Sequence, residues 1–311
     1  MELYLAPMEG ITKIDFRKNL DKHFGGIDKY TTAFIPASKN LNKKQIRDLD
    51  ARENEGMKLI PQLIGNNATE MLDMAHKMKD NGYDEININL GCPSGTVTSK
   101  KRGSGLLLYP DELDAFLSEL FSILDMKVSV KTRIGFYDAS EWETLLAIYA
   151  KYPFYELIIH PRVRQEFYSK TPHYDAFQKA VETINVPLVY NGDINSVSDF
   201  NRIQEMFPGI QRFMIGRGLI AKPYLARQIK GGAPATREEL RLYHDELIER
   251  YLSIFSGPKD MIFHMKEIWS YFRESFCDTD KYWKKLKKSS DLLEYKQAVN
   301  QIFETCPLAE E

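Results

Sequence analysis

An α/β barrel of eight parallel strands, followed by a small all-helical bundle, is the fold this sequence predicts. Three observations predict it. Short apolar, β-rich runs recur eight times over residues 1–235, helical patterns separate most of them, and strand-like runs stop after the stretch Lys230-Gly231-Gly232-Ala233-Pro234. Strands alternating with helices imply parallel pairing through crossover connections, and eight near-equal repeats favour closure into a barrel over an open sheet.

The predicted strands cover residues 3–6, 30–34, 58–64, 85–90, 127–132, 156–160, 188–190 and 212–215. Helical patterns cover 69–79, 110–124, 140–151, 174–183 and 197–207. One interval is longer than the rest, and the excess falls in the loop 91–107 after the fourth strand. In such a barrel that loop sits on the face where chemistry is done, and long loops there are usually functional. Beyond the Gly/Pro linker only helical patterns follow, over 236–255, 258–276 and 291–304. Thr236 with Glu239 forms a capping-box pattern, and Pro258 suits a first helical turn. The expected domains are therefore a barrel over 1–235 and a helical bundle over 236–311.

Composition narrows the class. The 311 residues are 43% hydrophobic and 28% charged, with 42 Lys+Arg against 44 Asp+Glu and a net charge of −2. These are values of an ordinary globular protein, and they exclude a uniformly basic coat for nucleic acid, though not a local patch. The three cysteines, Cys92, Cys277 and Cys306, are odd in number and widely spaced, which indicates neither a disulfide framework nor a metal site. No signal-peptide pattern opens the sequence and no apolar run reaches membrane-spanning length, so a cytoplasmic location without membrane association is expected.

Polar residues stand where the barrel strands end. They are Pro7-Met8-Glu9-Gly10, Gln62, Asn89, Lys131 with Arg133, His160 with Arg162, Asn191-Gly192-Asp193 and Gly216-Arg217-Gly218. Parallel strands should be almost wholly apolar inside, so seven polar ends converging on one face point to a site rather than to scattered structural bonds. The last two groups follow strands seven and eight, where glycine amides and an arginine suit a phosphate.

These segments carry a resemblance. Leu5-Ala6-Pro7-Met8-Glu9-Gly10-Ile11-Thr12, Asn89-Leu90-Gly91-Cys92-Pro93, Val130-Lys131-Thr132-Arg133, His160-Pro161-Arg162, Asn191-Gly192-Asp193-Ile194 and Met214-Ile215-Gly216-Arg217-Gly218 together resemble a tRNA-dihydrouridine synthase. The likeness continues into 264–272, His264-Met265-Lys266-Glu267-Ile268-Trp269-Ser270-Tyr271-Phe272. It implies an FMN-binding barrel with a helical RNA-binding domain, tRNA as substrate, and NADPH or NADH as reductant. It implies that Pro7, Met8 and Glu9 back the flavin ring, that Gln62, Lys131 and His160 contact it, and that Asn191, Gly192, Asp193, Gly216 and Arg217 hold its phosphate arm. It also implies that Cys92 protonates carbon 5 of a uracil as carbon 6 receives hydride. A thiol is acidic enough to donate yet mostly uncharged at neutral pH. Asn89, Arg133 and Arg162 are the candidates for the uracil edge and its phosphate. One departure is Pro161, where the family usually has glycine; it removes an amide donor beside the expected flavin contacts.

For RNA, residues 236–311 carry 12 basic and 15 acidic residues, so binding must come from patches. Lys259, Lys266 and Arg273 repeat every seven residues along one edge of the apolar face of a helix and form the favoured stripe. Lys100, Lys101 and Arg102, and the lysines 281, 284, 285, 287 and 288, are either RNA contacts or an ordinary solvated face. Two other readings stand beside the main one: an FMN barrel dehydrogenase acting on a free pyrimidine, as dihydroorotate dehydrogenases do, and a tRNA-binding module without catalysis. The helical domain argues against the first; Cys92, Lys131 and His160 argue against the second.

Overall fold

The computed structural model describes residues 1–309. Its strands are β1 (Glu2–Leu5), β2 (Lys29–Thr31), β3 (Ile35–Pro36), β4 (Leu59–Ile60), β5 (Gln62–Ile64), β6 (Glu85–Leu90), β7 (Lys127–Gly135), β8 (Glu156–Val163), β9 (Leu188–Tyr190) and β10 (Arg212–Ile215). All pairings are parallel, in the order β3-β5-β6-β7-β8-β9-β10-β1-β2-β4. The two ends of that order meet. β4 and β5 are halves of one strand separated only by Pro61, which has no N–H to give the ladder, and β2 and β3 pair with those two halves in turn. The ten pieces therefore make the eight staves of the predicted barrel.

The strand readings at 85–90, 188–190 and 212–215 match β6, β9 and β10 residue for residue, and helix Tyr174–Thr183 matches as well. β7 and β8 run three residues further than expected. β8 continues through Pro161, and the register against β7 shifts there: Arg133 pairs with His160, but Gly135 pairs with Val163. Two residues of β7 thus oppose three of β8. This is a bulge at the barrel rim, where the proline cannot support the ladder.

The backbone packs as two compact units that are not contiguous in sequence. The first holds Met1–Pro7, Asp28–Gly192 and Phe207–Met214 and contains the barrel strands; the second holds Met8–Ile27, Asp193–Met206 and the chain from Ile215 on, and is helical. Segments well before residue 236 are therefore grouped with the C-terminal helices.

Within the first unit Tyr4, Ala6, Ile158, Val189 and Met214 form a buried apolar cluster. At the opposite end of the strands from the site, the buried ammonium of Lys29 lies 3.1 Å from both carboxylate oxygens of Glu85 and 2.6 Å from Glu156 Oε1. Tyr4 donates to Glu156 Oε2 at 3.0 Å. Within the second unit helix Ile14–His23 packs on helix Arg237–Ile254, where Asn19 Nδ2 donates to Tyr243 O at 2.8 Å. The expected capping box at Thr236 and Glu239 is formed. Helix Asp280–Lys288, read in the sequence only as a lysine cluster, is an additional element. Among the described residues no helix is long and apolar enough to cross a membrane.

Candidate active site

Strands β5 to β8 bring Gln62, Asn89, Lys131, Arg133 and His160 to one rim of the barrel. Their register does this directly, since Asn89 pairs with Lys131 and Arg133 with His160. A hydrogen-bonded chain rises through the barrel to that rim. Ser129 Oγ donates to Ile86 O, Asn87 Nδ2 to Ser129 Oγ, Gln62 Nε2 to Asn87 Oδ1, and Asn89 Nδ2 to Gln62 Oε1, all within 2.8–3.1 Å. Gln62 is fully buried, so both atoms of its amide already serve this chain. Gln62 thus supports Asn89 from beneath, with one N–H and one lone pair of its amide still available.

Asn89 carries the chain into the long loop. Its Oδ1 accepts from Gly91 N at 3.0 Å and from Cys92 N at 2.9 Å. Every other backbone polar group of Gly91-Cys92-Pro93 is also held. Arg133 Nε donates to Gly91 O at 3.0 Å, Ser104 Oγ and N donate to Cys92 O at 2.8 and 3.2 Å, and Arg164 Nε donates to Pro93 O at 3.0 Å. Gly103, at φ +56°, leaves no room for a side chain: a Cβ there would lie 3.0 Å from both Cβ and O of Cys92.

Lys131 stands half-buried next to this loop, close enough to Cys92 and Arg133 for their charges to interact. Among the described residues no hydrogen bond or carboxylate holds its ammonium, and burial lowers its pKa to about 7. An uncompensated ammonium at a barrel rim suits an anionic or electron-rich ligand edge. Arg133 and Arg162 are each 1% exposed, and their donors are largely used within the protein. Arg133 Nη1 donates to Val163 O and Phe167 O, while Arg162 Nε donates to Lys170 O at 2.5 Å and its Nη1 lies 3.1 Å from His160 Nε2. The His160 ring stacks on Tyr168 at 5.8 Å, and the Arg133 guanidinium lies 5.3 Å from the same ring. Asn191 is tied by its Nδ2 to Met214 O at 2.8 Å, with Gly192 buried beside Tyr190. Pro7, two residues beyond β1, is half-buried.

In the second unit Met8 begins a turn closed by Thr12, whose hydroxyl accepts from Met8 N at 2.8 Å. Glu9 is exposed, and Gly10, at φ +83°, lies against the Glu267 carboxylate. Arg217 Nη2 donates to Asp193 Oδ1 at 2.8 Å, each side chain about a third exposed. Gly218 is required, because a Cβ there would stand 2.2 Å from Ile194 O. Of the basic stripe, only Lys259 is exposed. Lys266 Nζ donates to Ser289 O at 2.5 Å, and Arg273 bonds Asp280 at 3.0 Å while lying over the Trp283 ring. Two of the three residues therefore join helix Pro258–Phe272 to the segment that follows it. Lysines 281, 284, 285, 287 and 288 are all exposed on helix Asp280–Lys288. In the long loop, Lys101 pairs with Glu112 and Arg102 with Ser38 and Asn66, leaving Lys100 exposed without a side-chain bond.

Sequence reasoning missed Ser104, Arg164 and Tyr168. Ser104 had a visible signal: a polar residue between two glycines inside a loop that otherwise buries Leu106 and Leu107. Arg164 and Tyr168 are distant in sequence from the residues they touch, and no local pattern marks them.

Comparison with known proteins places this geometry in a family. The sequence pattern of the dihydrouridine synthases (Dus) matches residues 4–307. A probable tRNA-dihydrouridine synthase of Rhizobium leguminosarum is 30% identical over 88% of this chain and 85% of its own. A tRNA-dihydrouridine(16) synthase of Pseudomonas syringae is 32% identical over 74% of each chain. Among solved structures, histamine dehydrogenase from Rhizobium sp. 4-9 superposes with a TM-score of 0.56 at 13% identity, over 88% of this chain and 51% of that one, a likeness of fold alone. With the family pattern matched along nearly its whole length, the chain belongs to the dihydrouridine synthase family and is an oxidoreductase enzyme.

Proposed function

We propose that this enzyme reduces the 5,6 double bond of a uridine in tRNA, with Cys92 as the proton donor. The observation that carries the reading is the Cys92 loop, held at every backbone group beside the uncompensated ammonium of Lys131. When FMN is bound and reduced by NADPH or NADH, it supplies hydride for carbon 6 of the uracil. Cys92 Sγ gives its proton to carbon 5; the S–H bond breaks as the C–H bond forms, and water reprotonates the thiolate afterwards. Lys131 holds the electron-rich pyrimidine edge of the flavin, a fit supported by its buried ammonium having no carboxylate partner among the described residues. His160 flanks that edge, and Arg217 with Gly216 is the proposed phosphate contact. Asp193 shares Arg217, so its part is to orient the guanidinium rather than to meet the anion.

For tRNA the exposed lysines of helix Asp280–Lys288, with Lys259 and Lys100, are better placed than Lys266 and Arg273, which are less exposed and each already bond a group within the unit. Domains 1–235 and 236–311 then divide the work into reduction and RNA holding.

The test is direct. Purified protein, an unmodified tRNA transcript and NADPH or NADH are incubated, and nucleosides from the digest are weighed by mass spectrometry. Dihydrouridine in tRNA, with free uridine monophosphate and orotate left unreduced, is the expected result. Reduction of the free pyrimidines at a comparable rate would overturn the tRNA reading.

A further inference from the structure

The backbone of Gly91-Cys92-Pro93 makes no ladder hydrogen bonds beyond β6, yet none of its polar groups is left to solvent. Five side-chain hydrogen bonds hold it from four places: two accepted by Asn89 Oδ1 at the end of β6, and one each donated by Arg133 from β7, Ser104 from the far side of the same loop, and Arg164 from the turn after β8. Asn89 precedes the cysteine by three residues, a local turn that many loops form. Ser104 and Arg164 are different. Ser104 is fully buried, and its hydroxyl and amide converge on one carbonyl, Cys92 O. Arg164 crosses from another strand end, and its guanidinium lies over both the Phe136 and the Phe167 ring, 5.1 Å from each. A guanidinium that rests on two aromatic rings loses less rotamer freedom when it makes the bond. The residue behind it, Phe167, is itself in the left-handed region at φ +49°, a costly conformation for a bulky side chain. Such outliers persist where surrounding contacts over-determine them, and here Arg133 Nη1 bonds Phe167 O at 2.9 Å.

We propose that Ser104 and Arg164 are positioning residues that fix the Cys92 thiol for proton transfer to the uracil. The proposal rests on Cys92 being the acid. A proton donor works only in the narrow geometry of its hydrogen bond, and a displacement of about 1 Å lowers a rate by roughly a hundredfold. Holding Cys92 O and Pro93 O, the two carbonyls that follow Cys92 Cα, restrains the peptide rotations by which the thiol would drift. Neither side chain needs to touch RNA or cofactor for this.

Ser104→Ala removes one hydroxyl at nearly constant volume, and Arg164→Met removes the donor while keeping a flexible stem. Both are compared, as flavin-loaded full-length protein, with Arg164→Lys and Cys92→Ala. Expected are a fall in kcat for tRNA of about tenfold or more with KM nearly unchanged, faster deuterium uptake by the peptide spanning 90–94, and partial recovery of both in Arg164→Lys. Deuterium uptake needs no turnover, so it reports the loop independently of activity. A kcat near wild type in both variants, or a loss appearing wholly in KM, would overturn the proposal while leaving Cys92 as acid. A Cys92→Ala enzyme with the wild-type rate would instead remove the reading on which the proposal rests.

Discussion

Lys131 carries a charge that the described protein does not compensate, and burial lowers its pKa to about 7 against an ordinary value of 10.5. Between those two values the unfolded chain binds the proton that the folded one gives up. Stability of the flavin-free protein should therefore rise with pH from about 7 towards 10.5 on account of this group. The same reasoning gives a variant two effects of opposite sign. Lys131→Met should stabilise the flavin-free protein at pH 7 by about 1–3 kcal/mol, several degrees in Tm, while weakening flavin retention. Thermal unfolding at pH 7 and 10 checks it: the advantage should be large at pH 7 and nearly gone at pH 10. A variant less stable at both values would show that Lys131 has a partner inside the protein. At this scale the sequence was partly legible. Lys131 and Asn89 announced themselves as polar residues at strand ends, and Cys92 by the Asn-Leu-Gly-Cys-Pro motif in the one expanded loop. Gln62 did too, and its amide also bonds Asn87 and Asn89 on the neighbouring strand, a matter of register that a single strand does not reveal.

At the scale of elements, the alternation of strand and helix was plain because parallel barrel strands are short, apolar and bounded by turns. Helix Asp280–Lys288 was not, since its nine residues include five lysines and only Leu286 is buried. That exposed face is where the RNA prediction belongs. Lys281, Lys284 and Lys288 changed together to Glu should weaken tRNA binding about tenfold or more, and each lost phosphate contact should flatten the slope of log affinity against log salt by somewhat under one unit. Lys266→Glu with Arg273→Glu should instead lower Tm, because those side chains hold Ser289 O and Asp280. Filter binding across a salt series, with melting curves beside it, distinguishes the two sets. Equal loss of RNA affinity from both, with no change in Tm for the second, would restore the stripe as the RNA contact. The stripe was read from helical periodicity, which tells which face a residue lies on but not whether a neighbouring segment has claimed it.

At the scale of the whole molecule, the two ends of the barrel do different work. One end holds the Cys92 loop; the other holds Lys29 between Glu85 and Glu156, all nearly inaccessible, with burial pushing the Glu85 carboxyl above its ordinary range. Removing the cation leaves two buried carboxylates facing each other. Lys29→Met should cost about 3–5 kcal/mol at pH 7. Because the Glu85 carboxyl binds its proton more tightly folded than unfolded, the deficit should shrink as pH falls towards 5. Urea titrations at the two pH values measure this, and an equal deficit at both would contradict it. The central claim, however, concerns the other end. The most direct measurement separates the two half-reactions of Cys92→Ala in single-turnover experiments. Flavin should be retained and reduced by NADPH at the wild-type rate, while dihydrouridine formation in tRNA should fall by roughly a hundredfold or more, the usual worth of a positioned acid. Dihydrouridine formed at the wild-type rate, or a slow step that moves to flavin reduction, would contradict the claim.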